Sequence, residues 1–512
     1  MSLETNHNLY CCFSAKGSDV GSLLLKTDVG VTYSYADAHR QSSQIACGLT
    51  RLGLNPGDRV TVQVEKSVQA LWLYLACLRA GLVFQPLNPA YQAGELHYFL
   101  TDAAPKLVVC ANHNEPLFDK FAKELGIPNV LTLDADGSGT LMKLAECCPP
   151  EFNTVHRDPD DLAALLYSSG TTGQPKGIML THRNLFENTK TLVDAWSFAE
   201  QDRLLHALPI FHVHGLFVAI GCAMMSGASM CWLAKFDIGE VMRHLPECTV
   251  MMGVPTFYTR LLEVEGFSND CCDNLRLFIS GSAPLLKETF FEFEQRTGYA
   301  ILERYGMTET GMNTSNPLTG ERRCGTVGLP LPGIEVRAVN ESGEAIGHDE
   351  IGDLQVRGAN VFKGYWRKPD KTIEDFTEDG FFNTGDKCSI SSDGYVTIVG
   401  REKDMIISGG LNVYPKEVEL ILDELDYVKE SAVIGVSHGD LGEAVVAVIV
   451  PAKGAIAEPN EQVVIAAVKE QLAKFKAPKK VLFVDELPRN TMGKVQKNVL
   501  RERYAQCCDV TP

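Results

Sequence analysis

The chain has 512 residues, of which 45% are hydrophobic and 22% are charged. This composition is typical of a folded globular protein, and the length allows about two to four domains. The 47 basic and 65 acidic residues give a formal net charge of −18, so we expect no nucleic-acid partner and no broad contact with anionic lipid.

The first half of the chain alternates short strands with helices. Apolar runs predict strands at residues 59–64, 106–110 and 129–133, and residues 70–80 predict a helix. This alternation indicates parallel sheets with crossover helices, so the predicted fold class is α/β. Residues 204–234 contain no charged side chain, but prolines and glycines interrupt them. We therefore predict a buried loop and helix there rather than a membrane span.

The pattern changes after residue 334. Short β segments separated by turn residues, at 335–339, 352–357 and 395–399, predict a compact β subdomain. A charged break then precedes a smaller unit that mixes helices with strands. We therefore divide the chain into a domain at residues 1–400 and a domain at residues 404–512.

The sixteen cysteines include no C-x-x-C pair, which indicates reduced thiols in an intracellular protein. The first residues lack the basic and apolar regions of a signal peptide, and they are not Arg-rich like a transit peptide. We expect a cytoplasmic protein, with an organellar location as the alternative, no stable membrane insertion and no obligatory protein partner.

The segment YSSGTTGQPKG at residues 167–177 is the strongest indication of function. It follows an apolar strand at residues 162–166 and combines four hydroxyls, three glycines and Lys176. Glycines let the backbone approach phosphate oxygens, hydroxyls add donors, and the lysine adds a positive charge. The segment lacks the spacing of a Walker A loop, so we interpret it as a phosphate-binding loop of another kind.

Later segments place side chains that could bind a metal ion or a nucleotide in turns and loops. Thr308 and Glu309 offer oxygen ligands for Mg²⁺ on a triphosphate. Asp386 ends a T-G-D turn, where its carboxylate can accept both ribose hydroxyls, and Arg401 can assist it. Lys494 lies in a glycine-containing loop, and a cation there can stabilise the negative charge that develops in a transition state.

These motifs, in this order, resemble the adenylate-forming superfamily, which includes acyl-CoA synthetases, luciferases and peptide-synthetase adenylation domains. The matching segments are YGMTET at 305–310, NTGD at 383–386, GREKD at 400–404, SGGLNVYP at 408–415 and PRNTMGK at 488–494. The resemblance implies a large N-terminal domain of stacked αβα-type subdomains with a β subdomain, followed by a small mobile α+β domain. It also implies small-molecule substrates, namely ATP, CoA and a carboxylic acid, together with Mg²⁺.

The resemblance further assigns roles to individual residues. ATP and AMP binding is assigned to Ser168, Ser169, Gly170, Thr171, Thr172, Gly173, Lys176, Ser282, Ala283, Pro284, Tyr305, Gly306, Met307, Thr308, Asp386, Arg401 and Lys494. The catalytic group comprises Lys494, Thr308, Glu309 and His212. Thr172 and Glu309 are assigned to the metal, and Gly409 and Gly410 to CoA. A hinge at residues 401–403, centred on Lys403, lets the small domain exchange Lys494 for the CoA loop.

Several segments resemble the malonyl-CoA synthetases within this superfamily, namely residues 207–217, 252–258, 276–284, 305–316 and 487–500. A dicarboxylate needs a cationic site for its second carboxylate, and an arginine guanidinium can bind a carboxylate through two parallel hydrogen bonds. The predicted acid pocket comprises Arg276, Ser280, His212 and Met307. The expected product is malonyl-CoA, formed through malonyl-adenylate, with methylmalonate as a further acid.

Three alternatives stay open. The same chemistry could act on oxalate or a short-chain monocarboxylate. The chain could load a carrier protein in trans. It could also bind ligands without catalysis, although the joint presence of Lys176, Glu309, Asp386, Arg401 and Lys494 argues against this.

Overall fold

The structure is a computed structural model that describes residues 6–14, 21–168, 175–401, 404–408, 411–438, 441–452, 460–472, 474–490 and 493–508. The strands in these ranges are β1 (Leu23–Thr27), β2 (Thr32–Ser34), β3 (Arg59–Gln63), β4 (Val83–Pro86), β5 (Leu107–Cys110), β6 (Asn129–Thr132), β7 (Leu162–Ser168), β8 (Lys176–Thr181), β9 (Arg203–His206), β10 (Ser229–Trp232), β11 (Val250–Gly253), β12 (Leu277–Ser280), β13 (Leu302–Met307), β14 (Gly311–Ser315), β15 (Leu329–Pro330), β16 (Ile334–Val339), β17 (Gly352–Gly358), β18 (Gly364–Tyr365), β19 (Phe382–Ile390), β20 (Val396–Arg401), β21 (Ile406–Ser408), β22 (Leu411–Val413), β23 (Val428–His438), β24 (Gly442–Pro451) and β25 (Lys480–Phe483).

The α-helices are α1 (Leu9–Ser14), α2 (Tyr35–Arg51), α3 (Val68–Arg79), α4 (Ala93–Ala103), α5 (Glu115–Leu125), α6 (Thr140–Glu146), α7 (His182–Ala195), α8 (Ile220–Ser226), α9 (Ile238–His244), α10 (Pro255–Leu262), α11 (Lys287–Thr297), α12 (Pro369–Asp375), α13 (Pro415–Asp423), α14 (Glu461–Gln471) and α15 (Lys497–Arg503). A π-helix spans His214–Ala219, and short 3-10 turns lie at Asn112–Asn114, Leu245–Glu247 and Asn269–Cys271.

Two large sheets form the centre of the N-terminal part. One has seven strands in the order β18-β8-β7-β4-β3-β5-β6, and the other has nine in the order β15-β14-β13-β12-β11-β9-β10-β1-β2. Their central strands pair in parallel. The carboxyl ends of parallel strands meet at one edge, which is where α/β sheets bind ligands. The predicted α/β class is confirmed.

The sequence explains why the strands of these two sheets are buried. Parallel strands covered on both faces are continuous apolar runs, and β5 (LVVC) and β11 (VMMG) are buried at every residue. Helix α3 connects β3 to β4 and is buried at every position except Gln69. It begins where the Ser67 side chain accepts a hydrogen bond from the amide of Ala70, an N-cap that satisfies one of the free amides of the first turn.

The apolar segment 204–234 is buried, as predicted, and contains the π-helix followed by α8. Strands β9 and β10 at its two ends were missed, because a four-residue apolar strand cannot be distinguished from a buried helix by periodicity. In the part of the chain that the structure describes, no helix is both long enough and apolar enough to cross a membrane.

The later part of the chain follows the predicted order. Strands β16, β17, β19 and β20 form a four-stranded antiparallel sheet, as expected for the β subdomain. Strands β21–β25 form a separate five-stranded sheet, which packs with α13, α14 and α15. The mixture of helices and strands in this small unit is confirmed, whereas the boundaries at residues 400 and 404 remain predictions.

Candidate active site

A cluster of polar side chains joins the antiparallel sheet to the end of β13. Asp386 lies opposite Arg401 in the strand register, and Arg401 Nε is 3.1 Å from Asp386 Oδ1. The Tyr305 hydroxyl donates a short hydrogen bond to Asp386 Oδ2. Asp386 is only 3% exposed, and each carboxylate oxygen has a further acceptor position. The structure thus brings together three residues predicted for the nucleotide, around a carboxylate that can accept ribose hydroxyls.

Glu309 and Lys176 lie near this cluster. Burial raises the pKa of Glu309, and the positive charges of Arg401 and Lys176 act in the opposite direction. Lys176 Nζ lies 3.9 Å from Asp375 Oδ2 and 4.6 Å from the centre of the Tyr365 ring. Mg²⁺ in nucleotide sites commonly uses one or two carboxylates together with substrate phosphates. A buried carboxylate near the lysine that is predicted to bind phosphate therefore fits a Mg²⁺ ion that arrives with a triphosphate.

Several predicted residues lie outside the described ranges. They are Ser169, Gly170, Thr171, Thr172 and Gly173 of the phosphate loop, Lys403 of the hinge, and Gly409 and Gly410 of the CoA loop. Ser168 is the last residue of β7, and Lys176 is the first residue of β8. The antiparallel pairing of these two residues fixes the base of the predicted phosphate loop.

A tight hairpin between β13 and β14 positions Met307, Thr308 and Glu309. A Cβ atom on Gly306 would lie 2.1 Å from the carbonyl oxygen of Gly311, so this close approach of the two strands requires glycine. The turn consequently holds Thr308 and Glu309 at the carboxyl end of β13, where a ligand of a parallel sheet is expected.

The segment after β12 lies at the same edge. Ser280 pairs with Gly253 at the ends of β12 and β11. Ser282 has a φ of 74°, a left-handed conformation that is costly for a residue other than glycine and that is concentrated at functional sites. Ala283 is half-buried and Pro284 is exposed. The predicted adenine segment therefore lies at the carboxyl edge of the nine-stranded sheet and includes a strained residue.

Two histidines follow β9. Burial lowers the pKa of His212 to about 4. Burial also lowers the pKa of His214 well below its usual value, with the Arg304 charge acting in the same direction. His214 Nδ1 lies 3.3 Å from Ser282 Oγ, and His214 Nε2 has no hydrogen-bond partner among the described residues. Both rings are neutral at neutral pH and can offer hydrogen bonds to a ligand. His212 was predicted, and His214 was missed.

The prediction that Arg276 binds the second carboxylate is wrong. Arg276 precedes β12, and its Nε and Nη2 atoms lie 2.8 and 2.7 Å from the two oxygens of Asp202. Its Nη1 and Nη2 atoms also donate to the carbonyl oxygens of Trp196 and Ser197. Ser280 ends the same strand, roughly 13 Å away at about 3.3 Å per residue. Arg276 therefore stabilises the sheet at the amino-terminal ends of its parallel strands. The other predicted residues lie at the opposite, carboxyl ends.

We expect Arg276→Met to lower stability without changing the use of the acid. Asp202 is 5% exposed, and removing its partner leaves a buried, unpaired carboxylate, which costs about 3 kcal/mol. Urea unfolding should report this loss, while KM for the acid changes by less than about twofold, as for a residue outside the pocket. A large rise in KM with unchanged stability would restore Arg276 to the acid pocket.

Arg304 on β13 has the properties that were predicted for Arg276. Its side chain is buried at 3% exposure, and its Nε and Nη2 atoms have no hydrogen-bond partner among the described residues. Burial lowers the pKa of Arg304 to about 10, so the guanidinium stays charged at neutral pH. A Cβ atom on Gly281 would lie 2.5 Å from Arg304 Cζ. An unpaired buried charge is costly, and an anion bound beside Gly281 would remove this cost.

The neighbouring Glu303 does not pair with Arg304, because successive side chains of a strand point to opposite faces. Glu303 Oε1 instead accepts a hydrogen bond from the amide of Leu285, and burial raises the pKa of Glu303 to about 7. Sequence reasoning missed Arg304 because an adjacent Glu-Arg pair resembles a surface ion pair. The usable signal was an arginine inside a strand whose first residues are otherwise buried.

The loop that carries Lys494 docks against the carboxyl edge of the nine-stranded sheet. Gly493 has a φ of +72°, and a Cβ atom on it would lie 2.9 Å from Thr256 Oγ1. Thr256 lies in the first turn of α10, directly after β11. The Lys494 amide donates to Asn490 Oδ1 at 3.0 Å. The structure thus brings the Lys494 backbone to the edge where Ser280 and Gly253 end their strands.

Comparison with known proteins identifies the family of this chain. The profile of the AMP-binding enzyme family matches residues 19–366, and that of the AMP-binding enzyme C-terminal domain matches residues 417–494. A Mus musculus protein named mitochondrial malonate–CoA ligase ACSF3 is 35% identical, covering 92% of this chain and 87% of its own length.

Solved structures resemble the whole chain. ATP-bound MatB from Rhodopseudomonas palustris is 51% identical, with a TM-score of 0.96 and coverage of 99% of this chain and 100% of that chain. Apo MatB from the same organism is also 51% identical, with a TM-score of 0.85 and coverage of 99% of this chain and 100% of that chain. The family profile covers more than half of the residues, and the structural match extends over both parts of the chain. The chain therefore belongs to the AMP-binding enzyme family.

Proposed function

We propose that the protein is an ATP-dependent acid–thiol ligase that converts malonate, ATP and CoA into malonyl-CoA, AMP and diphosphate. The choice of malonate rests on one observation, the buried guanidinium of Arg304, whose Nε and Nη2 have no partner among the described residues. The second carboxylate of malonate would pair with this guanidinium while the first reacts. The similarity to a relative named malonate–CoA ligase supports the same acid.

The reaction has two steps. A carboxylate oxygen of malonate attacks the α-phosphorus of ATP, the bond from that phosphorus to the bridging oxygen breaks, and diphosphate leaves. The thiol of CoA then loses its proton, and the thiolate attacks the acyl carbon of malonyl-adenylate. The bond from this carbon to the phosphate oxygen breaks, and AMP leaves. In the first step the protein contributes positioning and charge neutralisation, as is usual when phosphorus is attacked in line.

The nucleotide is held by the cluster around Asp386. In this proposal Asp386 accepts the ribose hydroxyls, Tyr305 and Arg401 fix that carboxylate, and residues 281–284 border the adenine. Lys176 contributes a positive charge to the phosphates. Glu309 and Thr308 provide oxygen ligands for Mg²⁺, which neutralises phosphate charge when it is bound.

The proposed acid pocket is built from β12 and β13 of the nine-stranded sheet and from the segment that follows β9. Arg304 binds the distal carboxylate, and the neutral rings of His212 and His214 provide hydrogen bonds that orient the acid. Ser280 Oγ is buried and has no partner among the described residues, so it can donate to the same carboxylate. Met307, at the end of β13, contributes an apolar wall. The substituent of methylmalonate is a single methyl group, and the proposal includes this acid as a slower substrate.

The small C-terminal unit is proposed to carry Lys494 in the first step and the loop at residues 409–410 in the second, turning about Lys403. The higher TM-score against ATP-bound MatB than against apo MatB supports the view that the arrangement described here is that of adenylation. The contact between Gly493 and Thr256 supports it as well. For the compartment we propose the cytoplasm, supported by sixteen cysteines that are all free thiols.

An acid panel tests the proposed function. With ATP, Mg²⁺ and CoA, we expect kcat/KM for malonate to exceed that for propionate and for ferulate by about 100-fold or more, because these acids leave the buried Arg304 unpaired. Oxalate is expected to be slow because its two carboxylates are closer together. Thioester formation is read by mass, and diphosphate release by a coupled assay. A higher value for oxalate or propionate would reject malonate while leaving the ligase chemistry intact.

A further inference from the structure

A chain of polar contacts connects the two large sheets behind the proposed acid pocket. Lys66 follows β3 of the seven-stranded sheet, and His206 ends β9 of the nine-stranded sheet. Lys66 Nζ lies 2.8 Å from His206 Nδ1 and 2.8 Å from the His206 carbonyl oxygen. The His206 ring stacks on Trp232 at 4.9 Å, and Lys66 Nζ lies 4.3 Å from the centre of the same indole ring. The two side chains are therefore held in one geometry.

These contacts determine the tautomer of His206. His206 Nε2 lies 2.9 Å from the carbonyl oxygen of Gly215. A carbonyl oxygen can only accept, so Nε2 must carry the proton, and the lone pair of Nδ1 must accept from Lys66. Burial and the neighbouring Lys66 both lower the pKa of His206, which keeps the ring neutral. Lys66 and the Gly215 carbonyl thus favour the same tautomer, in which Nε2 donates to Gly215.

The Gly215 carbonyl belongs to the π-helix. It also accepts the amide hydrogen of Ile220, the wide spacing that defines a π-turn. Gly215 itself has no room for a side chain, because a Cβ atom would lie 2.0 Å from the carbonyl oxygen of Pro209. The bond from His206 anchors this carbonyl from outside the helix. Because Gly215 directly follows His214, the anchor also sets where the His214 ring is held.

We propose that Lys66 is a positioning residue for the acid pocket, acting through His206 and the Gly215 carbonyl to fix the π-helix that presents His214. The inference rests on the proposed function, since His214 is placed there in the acid pocket beside Ser282 and Arg304. Lys66 touches no substrate in this scheme. Its loss removes one of the two contacts that favour this tautomer, so the other tautomer, which has a lone pair on Nε2 and repels the Gly215 carbonyl, becomes more populated.

Lys66→Met tests this role, since methionine keeps the apolar stem and removes the donor. We expect kcat/KM for malonate to fall about 10-fold, mainly through a higher KM for malonate, as for a misplaced hydrogen-bonding group. KM for ATP should change by less than about twofold, because the cluster around Asp386 is not part of the chain of contacts. Lys26→Met is the matched control. Lys26 lies on β1 and pairs with Glu247 at the surface, so its loss should change neither constant.

A second variant separates positioning from mere stabilisation. Glutamine at position 206 can donate its amide N–H toward Gly215 without tautomer control. In the His206→Gln background, Lys66→Met should lower kcat/KM for malonate by less than about threefold, against about 10-fold with histidine present. Equal losses in both backgrounds would overturn the proposal, as would a Lys66→Met variant that loses stability but keeps KM for malonate.

The tautomer can also be read without any substrate. Nitrogen-15 labelling of histidine should show His206 protonated on Nε2 in the natural protein and a shift toward protonation on Nδ1 in Lys66→Met. An unchanged tautomer would reject the role of Lys66. This result does not depend on which acid the enzyme uses. Failure of the proposed function would instead appear in the acid panel of the natural protein, as no activity or as a higher kcat/KM for another acid.

Discussion

Replacing Lys494 with alanine is expected to slow formation of malonyl-adenylate by about 1,000-fold, the loss typical when one group that stabilises a developing charge is removed. The docked loop supports this expectation, because Gly493 contacts Thr256 at the carboxyl edge of the sheet. An ammonium group delivered there can neutralise charge on the carboxylate and the α-phosphate as the new bond forms. In the proposed mechanism the second half-reaction uses the loop at residues 409–410 in place of the Lys494 loop, so it should not need this lysine.

The two half-reactions are measured separately. ATP–diphosphate exchange in the presence of malonate reports adenylate formation, and malonyl-CoA formed from supplied malonyl-adenylate reports thioester formation. We expect the second rate to change by less than about threefold in Lys494→Ala, because the lost group acts only in the first transition state.

The matched control for Lys494 is Lys480→Ala. Lys480 lies in the same small domain, and its Nζ forms a surface ion pair with Glu461 at 3.4 Å. Exposed pairs contribute about 0.2–1 kcal/mol, so this variant should retain both half-reactions. Equal loss of the two half-reactions in Lys494→Ala would contradict a role confined to adenylation.

The residues that meet at Asp386 could largely be predicted from the sequence, because they lie in short contiguous motifs with strong turn chemistry. Asp386 and Arg401 are neighbours through the pairing of β19 with β20, and a hairpin separated by a turn signal predicts such pairing. Tyr305 reaches the same carboxylate across a much larger sequence separation. That contact follows from packing of the antiparallel sheet against the end of β13, which no local pattern specifies.

The acid pocket could not be predicted in the same way. Arg276 and Arg304 both stand next to apolar strand residues, and periodicity does not tell which end of a strand faces the ligand. The position along the strand is decisive, since Arg276 immediately precedes β12, whereas Arg304 lies within β13 beside Gly281. The resemblance drew attention to the segment before Ser280, whereas the buried guanidinium whose Nε and Nη2 have no partner among the described residues lies on the neighbouring strand.

The π-helix was also beyond sequence reasoning. The wider turn of a π-helix does not change the amino-acid composition of a segment. Every residue from His214 to Ala219 is buried, so no amphipathic pattern indicates the turn either. Its stabilising partner, His206, lies on β9, and Lys66 comes from the other sheet. Contacts between residues of two different sheets can be recognised only after the fold is known. For this reason His206 and His214 are easily taken from the sequence for ordinary core residues.

Arg304→Met is expected to lower kcat/KM for malonate by about 100-fold, equivalent to about 2.7 kcal/mol of transition-state stabilisation. This is the range for hydrogen bonds to a charged partner in a buried site. Methionine has a similar length and no charge, so the pocket should then favour a monocarboxylate. The ratio of propionate to malonate turnover should rise, while KM for ATP changes by less than about threefold.

The stability of the Arg304→Met variant shows whether Arg304 binds the acid or supports the fold. Arg304 is buried without partners for Nε and Nη2 among the described residues, and replacing an unpaired buried charge with an apolar side chain of similar volume is often neutral or stabilising. We therefore expect the unfolding midpoint of Arg304→Met to be equal to or above that of the natural protein. Arg276→Met should show the opposite combination, with lower stability and an unchanged KM for malonate. If Arg304→Met instead lost stability and kept its KM for malonate, the guanidinium would be structural, and the second carboxylate would have to bind elsewhere in the cleft.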